Sequence, residues 1–551
     1  MKTLRIIVIG GVAAGASFAA RARRLSETAQ ITVIERGPDV SFANCGLPYH
    51  IGGEIPERRA LAVQTEASLK AMLNLDVRTL SEATVIDRAA KRVLIRNLRN
   101  GEEEWLAYDK LMLSPGAAPV CPSLPGIDDP RVFTLRNLQD MDRIAEASKA
   151  GKHAVIVGAG FIGLEMAEQL HRKGLSVEIV QISHQVLSLL DARLAGLLED
   201  ELRKNNIGLH LGNQVTRFEG RENSLLCHLS SGALLETDLV VMSIGVQPES
   251  ALAQTAGLQL GEKGHIVVNA FMQTSDPDIY AAGDVVETSE RTMGGQIAVP
   301  LGGPANRQGR VAADHLFLKE KARPYPGSLG TSIVRVFDMS AGVTGWNERG
   351  LKKAGIDYET VTVTDSHHAS YYPGAKPLTL KIFWARDSGV LLGAQAVGQE
   401  GVDKRLDVMA TAIAAGMNIE DLCHLELAYA PPFGSAKDVV NIAGFAATNM
   451  QDDLVNMVHE FPVASADVQL VDVRSKALSQ AYPVPGAINI PFVSLRNSMD
   501  RLDPGKPVVT FCSIGKNSYF ASRVLLQQGF DAKSLAGGVF LNKERKPAPG
   551  T

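Results

Sequence analysis

Twice in this chain a β-branched run ends in a glycine turn and a helix of small residues: 6-IIVIGGVAAG-15 and 154-AVIVGAGFIG-163. A strand that feeds a helix through closely spaced glycines brings backbone N–H groups and the positive end of a helix dipole to one point. A pyrophosphate binds well there. Another apolar run follows each helix, Ile31–Ile34 and Val177–Val180, so each copy reads as strand, turn, helix, strand. Gly10, Gly11 and Gly15 form the first turn, with Val12 where the middle glycine of GxGxxG would stand; Gly158, Gly160 and Gly163 complete the pattern in the second. Two such units predict two dinucleotide sites. An acidic residue closing the second strand binds ribose hydroxyls. Glu35 holds that position in the first unit, followed by Arg36. Gln181 holds it in the second, near Ser183 and His184, which leaves NADH and NADPH both open.

The chain has 551 residues, enough for about three to five domains. A net charge of −4 gives no electrostatic case for nucleic acid or an anionic membrane as partner. The five cysteines, Cys45, Cys121, Cys227, Cys423 and Cys512, form no CxxC pair. Neither a zinc site nor a disulfide framework is expected, and the scattered set fits a reducing cytoplasm. Residues 6–20 superficially resemble a secretory signal, but the glycine spacing assigns them to the first nucleotide unit. No apolar run reaches the ~18 residues of a membrane span. His367 and His368 are adjacent, so they point differently, and no metal is expected.

Beyond residue 325 the glycine-turn grammar stops. Strands such as 378-LTLKIFW-384 mix with a helix around 406–416, and the polar stretch 448–459 reads as a linker to a short β/α unit.

In order, 10-GGVAAG-15, Glu35, 112-MLSPGA-117, 158-GAGFIG-163, 244-IGVQP-248 and 275-SDPDIYAAGDV-285 resemble the FAD-dependent pyridine nucleotide–disulfide reductases, over roughly residues 1–445. The resemblance implies an α/β protein with two Rossmann-like domains, FAD-binding (1–115 and 246–325) and NAD(P)-binding (116–245), then an α+β dimerisation domain (326–447). It implies that Asp284 joins Gly10, Gly11, Gly15, Glu35 and Arg36 at FAD, and that Gly158, Gly160, Gly163, Gln181 and Gly245 hold NAD(P)H.

The stretch 41-SFANCGLPYH-50 resembles the branch with one redox cysteine, which includes CoA-disulfide reductase, NADH oxidase and NADH peroxidase. A lone Cys45 takes its second sulfur from a ligand as a mixed disulfide, or is oxidised to a sulfenate. The oxidase and peroxidase members carry a histidine in the first glycine turn; here it is Ala13. The counterparts of a CoA site are all here: Arg24 closing the first helix, Ser41 and Asn44 beside Cys45, Tyr371 in 367-HHASYYPGA-375, and Tyr429 in 427-LAYAPPFGSAKD-438. In that branch the tyrosines act from the partner subunit, which implies a homodimer.

Residues 460–551 resemble a rhodanese-like α/β domain, with Cys512 heading the loop Cys512, Ser513, Ile514, Gly515, Lys516 and Asn517. Inward-facing amides in such a loop stabilise a thiolate or persulfide. Many rhodaneses have arginine five residues after the cysteine; here it is Asn517, which leaves Lys516 as the loop's cation. Dianions such as thiosulfate are then expected to bind less well.

The combination resembles the CoA-disulfide reductase–rhodanese fusions. This implies an NAD(P)H- and FAD-dependent reductase of CoA persulfide, polysulfide or CoA disulfide, with small-molecule thiols and persulfides as partners and hydrogen sulfide and CoA thiol as products. Cys512 would handle sulfane sulfur, while Cys121, Cys227 and Cys423 read as structural. Two rivals are an oxidase or peroxidase working through a Cys45 sulfenate, and a flavin-bearing sulfur carrier.

Overall fold

The β-branched run Ile6–Ile9 becomes the middle of a five-stranded parallel sheet because both its faces are covered. In the computed structural model, which describes residues 3–462 and 467–543, that sheet runs Ile279–Ala281, Lys110–Leu113, Arg5–Ile9, Gln30–Ile34, Asp76–Arg78. One face packs on the helix Ala13–Leu25, whose Ala14, Phe18, Ala19 and Ala22 are buried. The helix Gly302–Leu318 crosses it so closely that a Cβ on Gly309 would lie 2.2 Å from the Ala14 carbonyl oxygen. A second parallel sheet repeats the plan, with Ser176–Gln181, His153–Val157, Leu239–Met242 and Val132–Thr134 as neighbours in that order. Both sheets belong to one compact unit, residues up to 182 and 210–330.

The other unit contains 183–209 and the described residues from 331 onward. Its first sheet is antiparallel, in the order Ser332–Val336, Met339–Gly345, Leu391–Gly398, Pro377–Ala385, Tyr358–Ser366. The sheet is backed by the helices Val402–Ala414 and Val439–Gln451. Its second sheet is parallel, in the order Asn456–Val458, Ala532–Leu535, Val508–Phe511, Gln469–Asp472, Ile488–Asn489. The helix Lys516–Leu526 leaves the loop after Phe511.

The expected linker carries regular structure of its own. The stretch 448–459 carries the last turn of the helix ending at Gln451 and the edge strand Asn456–Val458, so little of it is linker. Polar residues suit a helix end and an edge strand as well as a loop. Residues 183–209 make the following contacts within the later unit. Asp191 N–H donates to Gln395 Oε1 (2.9 Å), Lys381 Nζ lies 2.6 Å from Asp191 Oδ2, and the helix Ala192–Lys204 ion-pairs through Arg193 with Glu460 (2.9 Å) and through Asp200 with Lys543 (2.7 Å). Among the described residues no helix is long and apolar enough to cross a membrane.

Candidate active site

The two glycine turns are built alike to within a few atoms. Gly10 has φ +92° and Gly158 φ +106°, a region open to glycine and costly for other residues. Gly15 and Gly163 let each helix descend onto its turn: a Cβ on either would lie 1.9 Å from the carbonyl oxygen of Gly10 or Gly158. Val12 needs no such freedom. Its backbone is extended (φ −105°, ψ −164°), as is that of Gly160, its counterpart (φ −80°, ψ −168°). That is why the imperfect motif still makes the turn. A Cβ on Gly160 or Gly245 would meet nothing within 4 Å, so chain-free space lies beside both.

The residue closing each second strand is held the same way. Gly11 N–H donates to Glu35 Oε2 (2.8 Å), and Ala159 N–H donates to Gln181 Oε1 (2.9 Å). A pair of serines, not singled out from the sequence, completes the match. Ser114 Oγ donates to the Ile9 and Gly10 carbonyls (2.8 and 3.0 Å), and Ser243 Oγ to those of Val157 and Gly158 (3.1 and 3.0 Å). The signal was present in 112-MLSPGA-117 and 241-VMSIGV-246, which align as a second internal repeat. Open glycines beside a strand–turn–helix and a polar side chain closing the next strand fit a dinucleotide at each turn.

Asp284 follows Gly283, whose N–H donates to Gln308 Oε1 (2.8 Å). Burial raises the Asp284 carboxyl above its ordinary range, opposed by the charge of Arg136. Arg36, expected at FAD, is paired with Glu249 (3.0 Å), which also takes Arg136 (2.8 Å).

Cys45 sits in the short turn Asn44–Gly46, ahead of the helix Leu47–Ile51. Its side is open to solvent, yet enough protein surrounds the sulfur that burial raises its pKa, with the charges of Glu165 and Asp284 adding to the rise. The same Glu165 accepts from Tyr49 Oη (3.1 Å), which joins the cysteine segment to the helix Phe161–Arg172 of the second turn. Thus the sulfur lies within electrostatic reach of a group from each nucleotide unit. Ser41 takes φ +51° and donates its N–H to the Gly11 carbonyl (2.9 Å); Asn44 Nδ2 donates to the Arg136 carbonyl (3.4 Å). Arg24 is exposed, whereas its neighbour Arg23 is buried and donates to the Leu73, Ser26, Glu27 and Asn74 carbonyls.

In the other unit, Tyr371 and Tyr429, 58 residues apart, meet at 3.0 Å between hydroxyl oxygens. Both are exposed, and the shared hydrogen bond raises the Tyr371 pKa. Cys512 is 3% exposed and accepts from Gly515 N–H at 3.2 Å. Gly538 closes the loop: a Cβ there would lie 2.4 Å from the Cys512 carbonyl oxygen. Asn517 is exposed. Lys516, expected as the loop's own cation, instead pairs with Asp365 Oδ2 at 3.0 Å, a partner 151 residues away that no local pattern could reveal. Cys227 is buried on a strand, Cys423 is half-buried and donates to the Ile419 carbonyl, and Cys121 is exposed. No group of three His, Cys, Asp or Glu residues among the described ones could hold a metal.

Two nucleotide turns, with one cysteine in electrostatic reach of a group from each unit, define a two-dinucleotide thiol oxidoreductase. The chain belongs to the pyridine nucleotide-disulphide oxidoreductase family: residues 4–302 match that family, 331–439 its dimerisation domain, and 451–542 a rhodanese-like domain. Membership implies FAD and NAD(P)H as cofactors. Coenzyme A disulfide reductase of Staphylococcus aureus (strain bovine RF122 / ET3-1) is 35% identical over 445 residues, covering 80% of this chain and 99% of that protein. The reduced CoADR-RHD of Bacillus anthracis is similar across the whole length, at 43% identity, TM-score 0.95 and 98% of each chain. So is an NAD-dependent persulfide reductase from A. fulgidus, at 38% identity and TM-score 0.93, with 98% of this chain and 100% of that one covered.

Proposed function

We propose that this protein is an NAD(P)H-dependent flavoprotein that reduces sulfur–sulfur bonds of CoA persulfide, polysulfide or CoA disulfide through Cys45, working as a homodimer. The observation that carries this reading is a single thiol within electrostatic reach of a group from each nucleotide unit, Glu165 and Asp284. The relatives' activities support it, as does the match to a dimerisation domain.

FAD, when bound, would supply the hydride acceptor for NAD(P)H and the two electrons for sulfur. The chain's residues do the rest. Gly10, Gly11 and Gly15 would hold the FAD pyrophosphate at the first turn, with Glu35 at the ribose and Asp284 at the ribityl chain. Gly158, Gly160, Gly163, Gln181 and Gly245 would seat the nicotinamide nucleotide. Arg24 pairs with a CoA phosphate, and Ser41 and Asn44 line the approach to Cys45. The Cys45 thiolate attacks the inner sulfur of CoA–S–SH, forming Cys45–S–S–CoA and expelling HS⁻. Two electrons then cleave that bond into the Cys45 thiolate and CoA thiolate. Tyr371 and Tyr429, contributed across the dimer, form a hydroxyl pair that donates the proton to the leaving sulfur. Cys512 carries sulfane sulfur as Cys512–S–S⁻, held by the loop amides.

The test is anaerobic NADH oxidation with CoA disulfide and CoA persulfide side by side, with hydrogen sulfide measured. Faster turnover of the persulfide with stoichiometric sulfide makes persulfide reduction the main task. Equal or faster disulfide turnover makes it CoA redox balance. Failure with both refutes the CoA site. Turnover driven by peroxide without CoA would point to a Cys45 sulfenate, against which Ala13 stands.

A further inference from the structure

The rhodanese-like loop holds one cation, and that cation is engaged elsewhere. Lys516 Nζ lies 3.0 Å from Asp365 Oδ2, at the end of the strand Tyr358–Ser366. Asn517, next in the loop, is neutral. What faces the sulfur is backbone: Gly515 N–H at 3.2 Å, with Gly538 packed against the amides of Ile514 and Gly515. The nearby buried arginine, Arg474, is consumed by Asp472 (2.7 Å) and the Tyr482 carbonyl (2.9 Å). The parallel strands Gln469–Asp472, Ile488–Asn489 and Val508–Phe511 end at the edge where Cys512 lies. Large apolar side chains stand exposed in the segments leaving that edge: Val493 (89%), Tyr482 (68%) and Phe520 (44%).

We infer that the Lys516–Asp365 ion pair sets the donor specificity of Cys512. By neutralising the loop's only cation it turns the site away from thiosulfate and toward alkyl persulfides, whose reacting end bears at most one negative charge and whose neighbouring atoms are apolar. This rests on the reading of Cys512 as a sulfane-sulfur carrier and names its donor. The transfer step balances without a further reagent. The Cys512 thiolate attacks the terminal sulfur of R–S–S⁻, the S–S bond of the donor breaks as Cys512–S–S⁻ forms, and R–S⁻ leaves. With thiosulfate, sulfite leaves instead. Asp365 touches neither donor nor acceptor, so it is a positioning residue.

The experiment compares the full-length holoenzyme with its D365N variant, an isosteric change at a half-buried aspartate paired with an exposed lysine. Thiosulfate:cyanide sulfurtransfer is followed at low and high salt, and Cys512 loading by pantetheine persulfide is read by intact-protein mass. Freeing Lys516 is expected to raise kcat/KM for thiosulfate roughly five- to tenfold at low ionic strength, with the gain lost in ~0.5 M salt. It should vanish in D365N/K516M, and in D365N alone loading by pantetheine persulfide should stay within about twofold of wild type. A D365N enzyme no better with thiosulfate, or a wild-type enzyme that uses thiosulfate as fast as the alkyl persulfide, overturns the inference. If Cys512 gains sulfur from neither donor in any variant, the sulfur-carrier reading falls and this inference with it.

Discussion

Gln181 is the sharpest test of the second nucleotide turn. Its oxygen is identified by chemistry, since Ala159 N–H at 2.9 Å donates only to an acceptor. The other end of the amide is therefore the NH2 group, a donor that suits a 2′-hydroxyl and a 2′-phosphate alike. Wild-type enzyme is expected to use NADH and NADPH within about tenfold of one another. Gln181→Glu keeps the acceptor for Ala159, as Glu35 does for Gly11 at 2.8 Å, so the fold bears no cost. It places a carboxylate against the 2′ position. At ~5 Å and an effective dielectric of ~40, one charge against a phosphate of about two charges costs ~3 kcal/mol, which salt trims to a factor of ~30–100. NADPH kcat/KM should fall by that factor while NADH changes less than about threefold. Calorimetric binding of NADP⁺ against NAD⁺ should move in parallel. A loss below about threefold for NADPH would mean that residue 181 does not face the ribose, and the analogy with Glu35 would be wrong.

Four further outcomes are expected. Gly15→Ala puts a Cβ 1.9 Å from the Gly10 carbonyl and should yield protein lacking flavin absorbance, whereas Gly160→Ala meets nothing within 4 Å and should keep its melting temperature while raising KM for the nicotinamide nucleotide. Tyr371→Phe with Tyr429→Phe should lower kcat with CoA persulfide roughly 100-fold at unchanged flavin content; unchanged kcat would remove the pair from proton transfer. In flavin-free protein the Cys45 thiol, raised by burial and by Glu165 and Asp284, should be alkylated with a pH midpoint above that of an ordinary thiol, and Glu165→Gln should lower the midpoint. His459 is held at about 4, against an ordinary 6.5, chiefly by burial and then by the charge of Lys381. Below 6.5 the unfolded chain binds a proton that the folded chain refuses until about 4. Stability is then full above the upper value and falls through the window by at most ~3 kcal/mol; denaturant titrations from pH 7 to 4 read it, and His459→Gln should flatten the slope.

How much of this was legible in the chain depends on how far apart the partners lie. The nucleotide turns announce themselves because strand, turn and helix are contiguous, and glycine is demanded where φ is positive at Gly10 and Gly158 or where a helix touches its own turn at Gly15 and Gly163. The same logic explains why Val12 looked like a flaw and is not: its backbone is extended, and extended backbone accepts any side chain. Cys45 and Cys512 were visible as cysteines in distinctive company, but their electrostatics were not. The charges on Cys45 come from residues 120 and 239 positions away, and the counter-ion of Lys516 from 151 positions before it. A motif records what the nearby chain must be, and says nothing of which charge the rest of the fold sets against it. Lys516 is the clearest case: read locally it is a cation offered to an anionic substrate, and in the fold it is half of an ion pair. The donor specificity of the C-terminal site therefore rests on a residue in a different sheet, where no comparison of rhodanese loops alone would find it.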